Sequence, residues 1–259
     1  MGLRTIAVLY VGILVLLPVG VLGYRTFQPG LAEFFGALND PLAQHAFQMT
    51  AIIAGVSTMI NAVFGIAMGI LLARYEFPGK RLLSAFVDLP VAVSPIVVGL
   101  ALILVFGPQG WFGPVENSAG IVVINAKPGM IIATVFVSLP LVVRAIVPVL
   151  QQAGMEQEQA AASLGANAVQ RFFRITLPTI RIALAYGVVL CLARCIGEYG
   201  AVLVVSGRIE GETETVSLRI GDLFDSDLNT EGAYALTLVL MVVSIAAIVV
   251  GSLIRRKRL

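Results

Sequence analysis

Six stretches of this 259-residue chain, residues 6–24, 47–73, 82–106, 129–150, 180–206 and 232–254, are each apolar and long enough to cross a bilayer, which takes about 20 residues per helix. No alternating strand pattern accompanies them, and a backbone in hydrocarbon must pair its amides within the segment or in a closed barrel. The spans are therefore expected to be helices, giving an all-α integral membrane protein with six transmembrane helices. Composition agrees: 58% of residues are hydrophobic, 12% are charged and the mean hydropathy is +0.96, too little charge to cover a soluble surface. The first stretch has a second reading, because Val21-Leu22-Gly23 loosely resembles a signal-peptide cleavage site. Its apolar run exceeds the ~7–15 residues of a signal core, and a retained helix is expected.

The charges alternate along the chain. Arg4, then Arg74, Lys80 and Arg81, then Arg171, Arg174 and Arg181, then Arg255, Arg256, Lys257 and Arg258 fall on one side of the spans. Arg25, Lys127, Arg208 and Arg219 fall on the other. Basic residues accumulate on the cytoplasmic side, so both termini are expected to be cytoplasmic. The chain divides into a first helix with its external connection (1–42), a core of five spans (43–254) and a basic tail (255–259). The net charge of +2 gives no reason to expect a nucleic-acid partner. With one histidine, His45, and two cysteines, Cys191 and Cys195, neither a multi-histidine metal site nor a disulfide framework is available, and the cysteines read as buried packing groups.

One cytoplasmic connection, residues 151–178, is too ordered for a linker. Residues 155–164 are strong helix formers, Gly165 supplies a helix-ending residue, and Asn167 can cap a second helix carrying Val169, Phe172 and Phe173 on one face. An apolar stripe flanked by arginines suits docking to a soluble partner or lying in the lipid interface. The segment Gln159-Ala160-Ala161, three residues, Gly165, nine residues, Ile175, one residue, Leu177-Pro178 resembles the EAA signature of ABC importer permeases. Gln159 stands where that signature has Glu, with Glu158 one place earlier. One residue is about 100° of helical rotation, so Glu158 is not expected simply to substitute for it.

Further residues resemble the sulfate and molybdate branches: Asp88-Leu89-Pro90 with Ser94-Pro95 and Gly99, Gly110-Trp111-Phe112-Gly113-Pro114, and Pro128-Gly129. The run from Ala193 to Val202 through Gly197-Glu198-Tyr199-Gly200, followed by Ser206-Gly207, is similar to the second of the two permeases of sulfate/thiosulfate importers. The resemblance implies a type I ABC permease of a bacterial-type inner membrane, paired with a second, different permease chain. It further implies two ATPase subunits holding ATP-Mg and an external sulfate-binding protein, with no cofactor, metal or catalytic residue in this chain. Pro78-Gly79-Lys80-Arg81 lacks the first glycine and the hydroxyl residue of a phosphate-binding loop, consistent with an ATPase supplied by another chain. A molybdate/tungstate permease remains an alternative. So does a secondary transporter with Asp88 or Glu198 as its coupling carboxylate.

Ionisable groups at membrane depth are costly and by default mark function. Asp88, Arg144 and the pair Arg194 with Glu198 qualify; Arg194 and Glu198 are spaced i, i+4 on the fifth helix. Arg194 is read either as a contact for the passing oxyanion or as part of an ion pair that fixes the helix. Pro90, Pro95, Pro140 and Pro148 are expected to kink the third and fourth spans, and Gly65 and Gly69 form a GxxxG packing site. The external loop 207–231 carries Glu210, Glu212, Glu214, Asp222, Asp225, Asp227 and Glu231. It would repel free anions but suits docking of a binding protein that delivers the anion enclosed.

Overall fold

The computed structural model describes residues 2–225 and 229–256. Among them every regular element is helical. Five helical stretches are long and apolar enough to cross a membrane: Leu9–Phe27, Pro41–Arg74, Lys127–Ala153, Ala168–Ile196 and Thr230–Ile254. A sixth is formed if Lys80–Ala92 and Pro95–Phe106 are counted as one broken span. In chain order the helices are α1 (Gly2–Phe27), α2 (Leu31–Asn39), α3 (Pro41–Arg74), α4 (Lys80–Ala92), α5 (Pro95–Phe106), α6 (Gly113–Ala119), α7 (Lys127–Ser138) and α8 (Pro140–Ala153). Then follow α9 (Glu156–Ser163), α10 (Ala168–Arg171), a π-helical turn (Phe172–Thr176), α11 (Leu177–Ile196), α12 (Gly200–Val205), α13 (Val216–Asp225) and α14 (Thr230–Arg256).

Two spans depart from the expected continuous helices. The third turns by 113° between α4 and α5, far more than a kink. Pro95 lacks an N–H and disfavours the helical conformation at the preceding residue; Val93 and Ser94 are accordingly extended, and Pro95 opens α5. Pro90 and Pro148 lie inside α4 and α8, and Pro140 opens α8 within the stretch Lys127–Ala153. The fifth span ends at Ile196 and resumes at Gly200 as the short α12. Glu198 therefore lies beyond the end of α11 and not on a continuous helical face with Arg194.

Helix packing rests on small residues, as expected where lipid removes most of the hydrophobic drive between helices. A methyl group on Gly65 would sit 2.5 Å from Val142 Cγ1, and one on Gly69 would sit 3.1 Å from Ile146 Cγ2, so the GxxxG pair seats α3 against α8. Gly99 likewise seats α5 against α12, where a Cβ would lie 2.7 Å from Val204 Cβ and 2.9 Å from the Ala201 carbonyl. Around these crossings Met49, Ile53, Met130, Ala133, Val202 and Leu218 form one buried cluster, and Val142, Ile146, Leu150, Ile180, Cys191 and Cys195 another. Asn61 is buried between them and donates to the Val135 carbonyl (3.1 Å) and to Ser138 Oγ (2.8 Å), while Ser138 Oγ contacts Cys195 Sγ at 3.2 Å. The cysteines are thus members of a buried polar seam joining α3, α7 and α11. By contrast α1 exposes most of its apolar side chains and meets α14 near its own C-terminal end, where Thr26 reaches the Tyr234 carbonyl.

Gly65→Val inserts atoms into a crossing with no room for them and is expected to cost about 1–3 kcal/mol, read as a lower thermal midpoint in detergent. Gly55→Ala, whose added methyl meets nothing within 4 Å, is expected to be neutral or slightly stabilising.

Candidate functional site

The loop between residues 151 and 178 is built on the termination of α9. The Gly165 N–H bonds the Ala162 carbonyl (3.0 Å) and the Ala166 N–H bonds the Ala161 carbonyl (3.0 Å), with Gly165 at φ +84°. This is a Schellman ending, and it gives a physical reason for the spacing from Ala161 to Gly165: the glycine must fall at the left-handed position where the helix closes. Asn167 and Gln170 then form a reciprocal capping box, 2.8 and 3.0 Å. The second helix does not end; it passes through the π turn into α11, with Pro178 in the first turn of α11. Leu164, Val169 and Phe173 are strongly exposed, Phe172 packs edge-on against Phe173, and Ile175 and Leu177 are half-buried.

Glu158, not Gln159, is the carboxylate this loop uses. Glu158 Oε1 accepts from Arg74 Nη2 at 3.1 Å and from Thr176 Oγ1 at 3.0 Å, while Arg74 Nη1 donates to the Leu150 carbonyl at 2.9 Å. The side chains of Arg74 and Glu158 are only 6% and 14% exposed. One buried ion pair thereby ties the ends of α3 and α8, the helix α9 and the π turn into a single node. Gln159 and Ala160 face solvent, and Ala161 is half-buried.

The intramembrane charges form two pairs. Arg144 Nε donates to Asp88 Oδ1 at 2.7 Å across α8 and α4, with both side chains about half exposed. Arg194 Nη1 lies 2.5 Å from Glu198 Oε2, and Glu198, 3% exposed, also accepts from the Ala201 N–H through Oε1 at 2.9 Å. Glu198 therefore caps α12 after the break, and Arg194 balances its buried charge.

On the opposite face Arg219 is the hub. Its side chain is 7% exposed, with Glu210 at 3.0 Å, Asp40 at 3.9 Å and Glu214 at 4.0 Å. Thr50 Oγ1 accepts from the Val216 N–H at 2.9 Å, fixing α13 to α3. Glu33, Asp40, Arg219 and Glu231 line a cleft of about 380 Å³ here. Of the acids expected to form a docking face, Glu210, Glu212 and Asp225 are exposed. Asp222 is paired with Arg208. Glu214, just before α13, is 1% exposed, which removes it from any contact surface. Asp227 lies outside the described residues.

The family described as binding-protein-dependent transport system inner membrane component matches residues 65–259. The chain belongs to this family. It is 40% identical over 257 residues to the sulfate transport system permease protein CysW of Synechococcus elongatus, covering 99% of this chain and 90% of that protein. The CysW protein of Escherichia coli is 40% identical over 250 residues, covering 96% and 86%. The fold is shared with a bacterial ABC transporter involved in import of the acidic polysaccharide alginate (TM-score 0.81, 16% identity, covering 99% of this chain and 94% of that one). It is also shared with the MetNI methionine ABC transporter (TM-score 0.59, 16% identity, covering 82% and 96%). This ABC permease is a non-catalytic transport subunit.

Sequence inspection of the permease singled out Glu158, Asp88, Arg144 and the Arg194–Glu198 pair, but missed that Glu158 pairs with Arg74 and Asp88 with Arg144. Arg74 entered only as a basic residue of a cytoplasmic loop and Arg219 only as a basic residue of an external one. Their signal was weak: each is a lone arginine near an apolar segment, and its carboxylate partner is fixed by the fold. Glu158→Ala leaves the buried Arg74 uncompensated and is expected to cost about 3–5 kcal/mol, whereas Gln159→Ala stays within about 0.5 kcal/mol. Thermal unfolding of the purified permease measures both.

Proposed function

We propose that this permease and a second, different permease chain enclose the path by which an ATP-driven, binding-protein-dependent importer takes up sulfate or thiosulfate. Identity of 40% to sulfate transport permeases over nearly the whole chain carries this reading. A dianion cannot cross hydrocarbon unaided, so the path is hydrated and opens to one side at a time. Six spans leave both termini in the cytoplasm of a bacterial-type inner membrane, a reading supported by Arg74, Lys80 and Arg81 beside the ends of α3 and α4. The first helix and its connection occupy 1–42, the transporting core 43–254 and the basic tail 255–259.

Two ATPase subunits holding ATP-Mg serve the two permease chains, one of them docking on this chain's α9–α10 loop through Leu164, Val169 and Phe173, exposed apolar groups set beside the Glu158–Arg74 node. Their closure draws the coupling loops together and turns the path outward. A sulfate-binding protein then releases its anion at the external face, oriented by Glu210, Glu212 and Asp225 through steering more than tight pairing.

With the complete importer in proteoliposomes, labelled sulfate uptake is expected only with ATP and binding protein, and excess molybdate is expected to compete poorly. Uptake without ATP, or preferential uptake of molybdate, overturns the assignment. Glu212→Gln with Asp225→Asn is expected to slow binding-protein association severalfold at low salt, with the difference vanishing as the Debye length shrinks to about 3 Å at 1 M salt. Identical association kinetics at low salt refute the docking role.

A further inference from the structure

The Asp88–Arg144 pair does not have the surroundings of a structural bridge. Arg144 lies 17 residues into the 27-residue stretch Lys127–Ala153, about 13 Å from its cytoplasmic end at 1.5 Å per residue. At that depth its side chain is 52% exposed and that of Asp88 42% exposed. Charges so placed do not face hydrocarbon, so this surface is turned to water or to protein.

The faces of both helices favour water. On α8, Val142, Val143, Ile146 and Leu150 are buried, while Arg144, Pro148 and Gln151 at i, i+4 and i+7 are uncovered. On α4, Arg81 and Ser84 precede Asp88 at i−7 and i−4, and neither is buried. A polar stripe on α4 and an uncovered face of α8 that begins at Gln151 thus run from the cytoplasmic ends of the two helices and meet at the ion pair. Asp88 engages only Nε of the guanidinium, and no other described residue bonds Arg144. Two terminal nitrogens therefore remain to meet an oxyanion, and a planar guanidinium suits such a group. Arg194 is different, since its charge is committed to a buried carboxylate that caps α12.

We propose that Arg144 is the oxyanion contact on the cytoplasmic half of the translocation path and that Asp88 weakens it, competing for the guanidinium so that the dianion passes without being held. Conduction needs binding strong enough to admit the ion and weak enough to release it; a half-engaged arginine meets both demands. This inference rests on the reading of the chain as a sulfate-importer permease.

The test uses the complete importer, trapped with ATP and orthovanadate in the presence of binding protein and labelled sulfate, and then separated from free binding protein. Arg144→Gln is expected to lower retained sulfate at least fivefold and to cut uptake in proteoliposomes about tenfold, while binding-protein-stimulated ATP hydrolysis persists. Asp88→Asn is expected to raise retained sulfate severalfold and to slow uptake. A bridge with a purely structural role would make the two substitutions act in the same direction, and that result overturns the proposal, as does unchanged retention in either variant. Should Arg144→Gln not assemble with its ATPase, Arg144→Lys replaces it, with retention expected to fall and unchanged retention again overturning the proposal. Wild-type importer that moves no sulfate defeats the sulfate reading itself, a result separate from normal wild-type transport with unaltered variants.

Discussion

Hydrocarbon tolerates no unpaired backbone amide, and the two interrupted spans of this permease are shaped by that restriction. Each break exposes polar backbone that a continuous helix would have paired internally. The breaks are placed against each other: a Cβ on Gly200 would lie 3.1 Å from Pro95 Cβ, and Gly99 brings α5 onto α12. Proline at the start of α5 removes one N–H that would otherwise need a partner, and the Glu198 carboxylate supplies the acceptor that α12 needs. A buried carboxylate then demands a cation, which Arg194 provides. The two facing interruptions thus account for a glycine, a proline, an acid and an arginine in two distant parts of the chain.

The two buried ion-paired nodes outside this region lie on opposite faces and differ in composition. At the α9–α10 loop one arginine meets one carboxylate, a hydroxyl and a helix-terminal carbonyl, and both charges are largely excluded from water. On the other face Arg219 meets three carboxylates among the described residues, beside a cleft that Glu33 and Glu231 also line. The first arrangement holds a loop in one position. The second binds the α13 region to α3 while keeping Glu210 partly in solvent.

Legibility from sequence followed the range of the forces involved. Gly165 and Asn167 were readable because a Schellman ending and a capping box are completed within six residues. The spans were readable because apolar length is a local property, and so was the GxxxG crossing. Glu158 was undervalued because its partner, Arg74, is 84 residues away, and a rotation argument within one helix cannot locate a group on another. The burial of Glu214 was hidden for the same reason, and acidity alone marked it as external surface. Pro95 signalled a bend, but the 113° turn depends on what α5 packs against, which is α12 from the far end of the chain.

The π turn between Asn167's short helix and α11 has a mechanical consequence. It joins the exposed aromatic surface of the loop directly to a 20-residue helix, about 30 Å of stiff rod at 1.5 Å per residue. That rod ends at Ile196, two residues past Arg194, at the break before α12. Displacement applied to the loop is therefore carried as axial and torsional load, not absorbed by a flexible tether, and it is delivered to the point in the membrane where the chain is already interrupted.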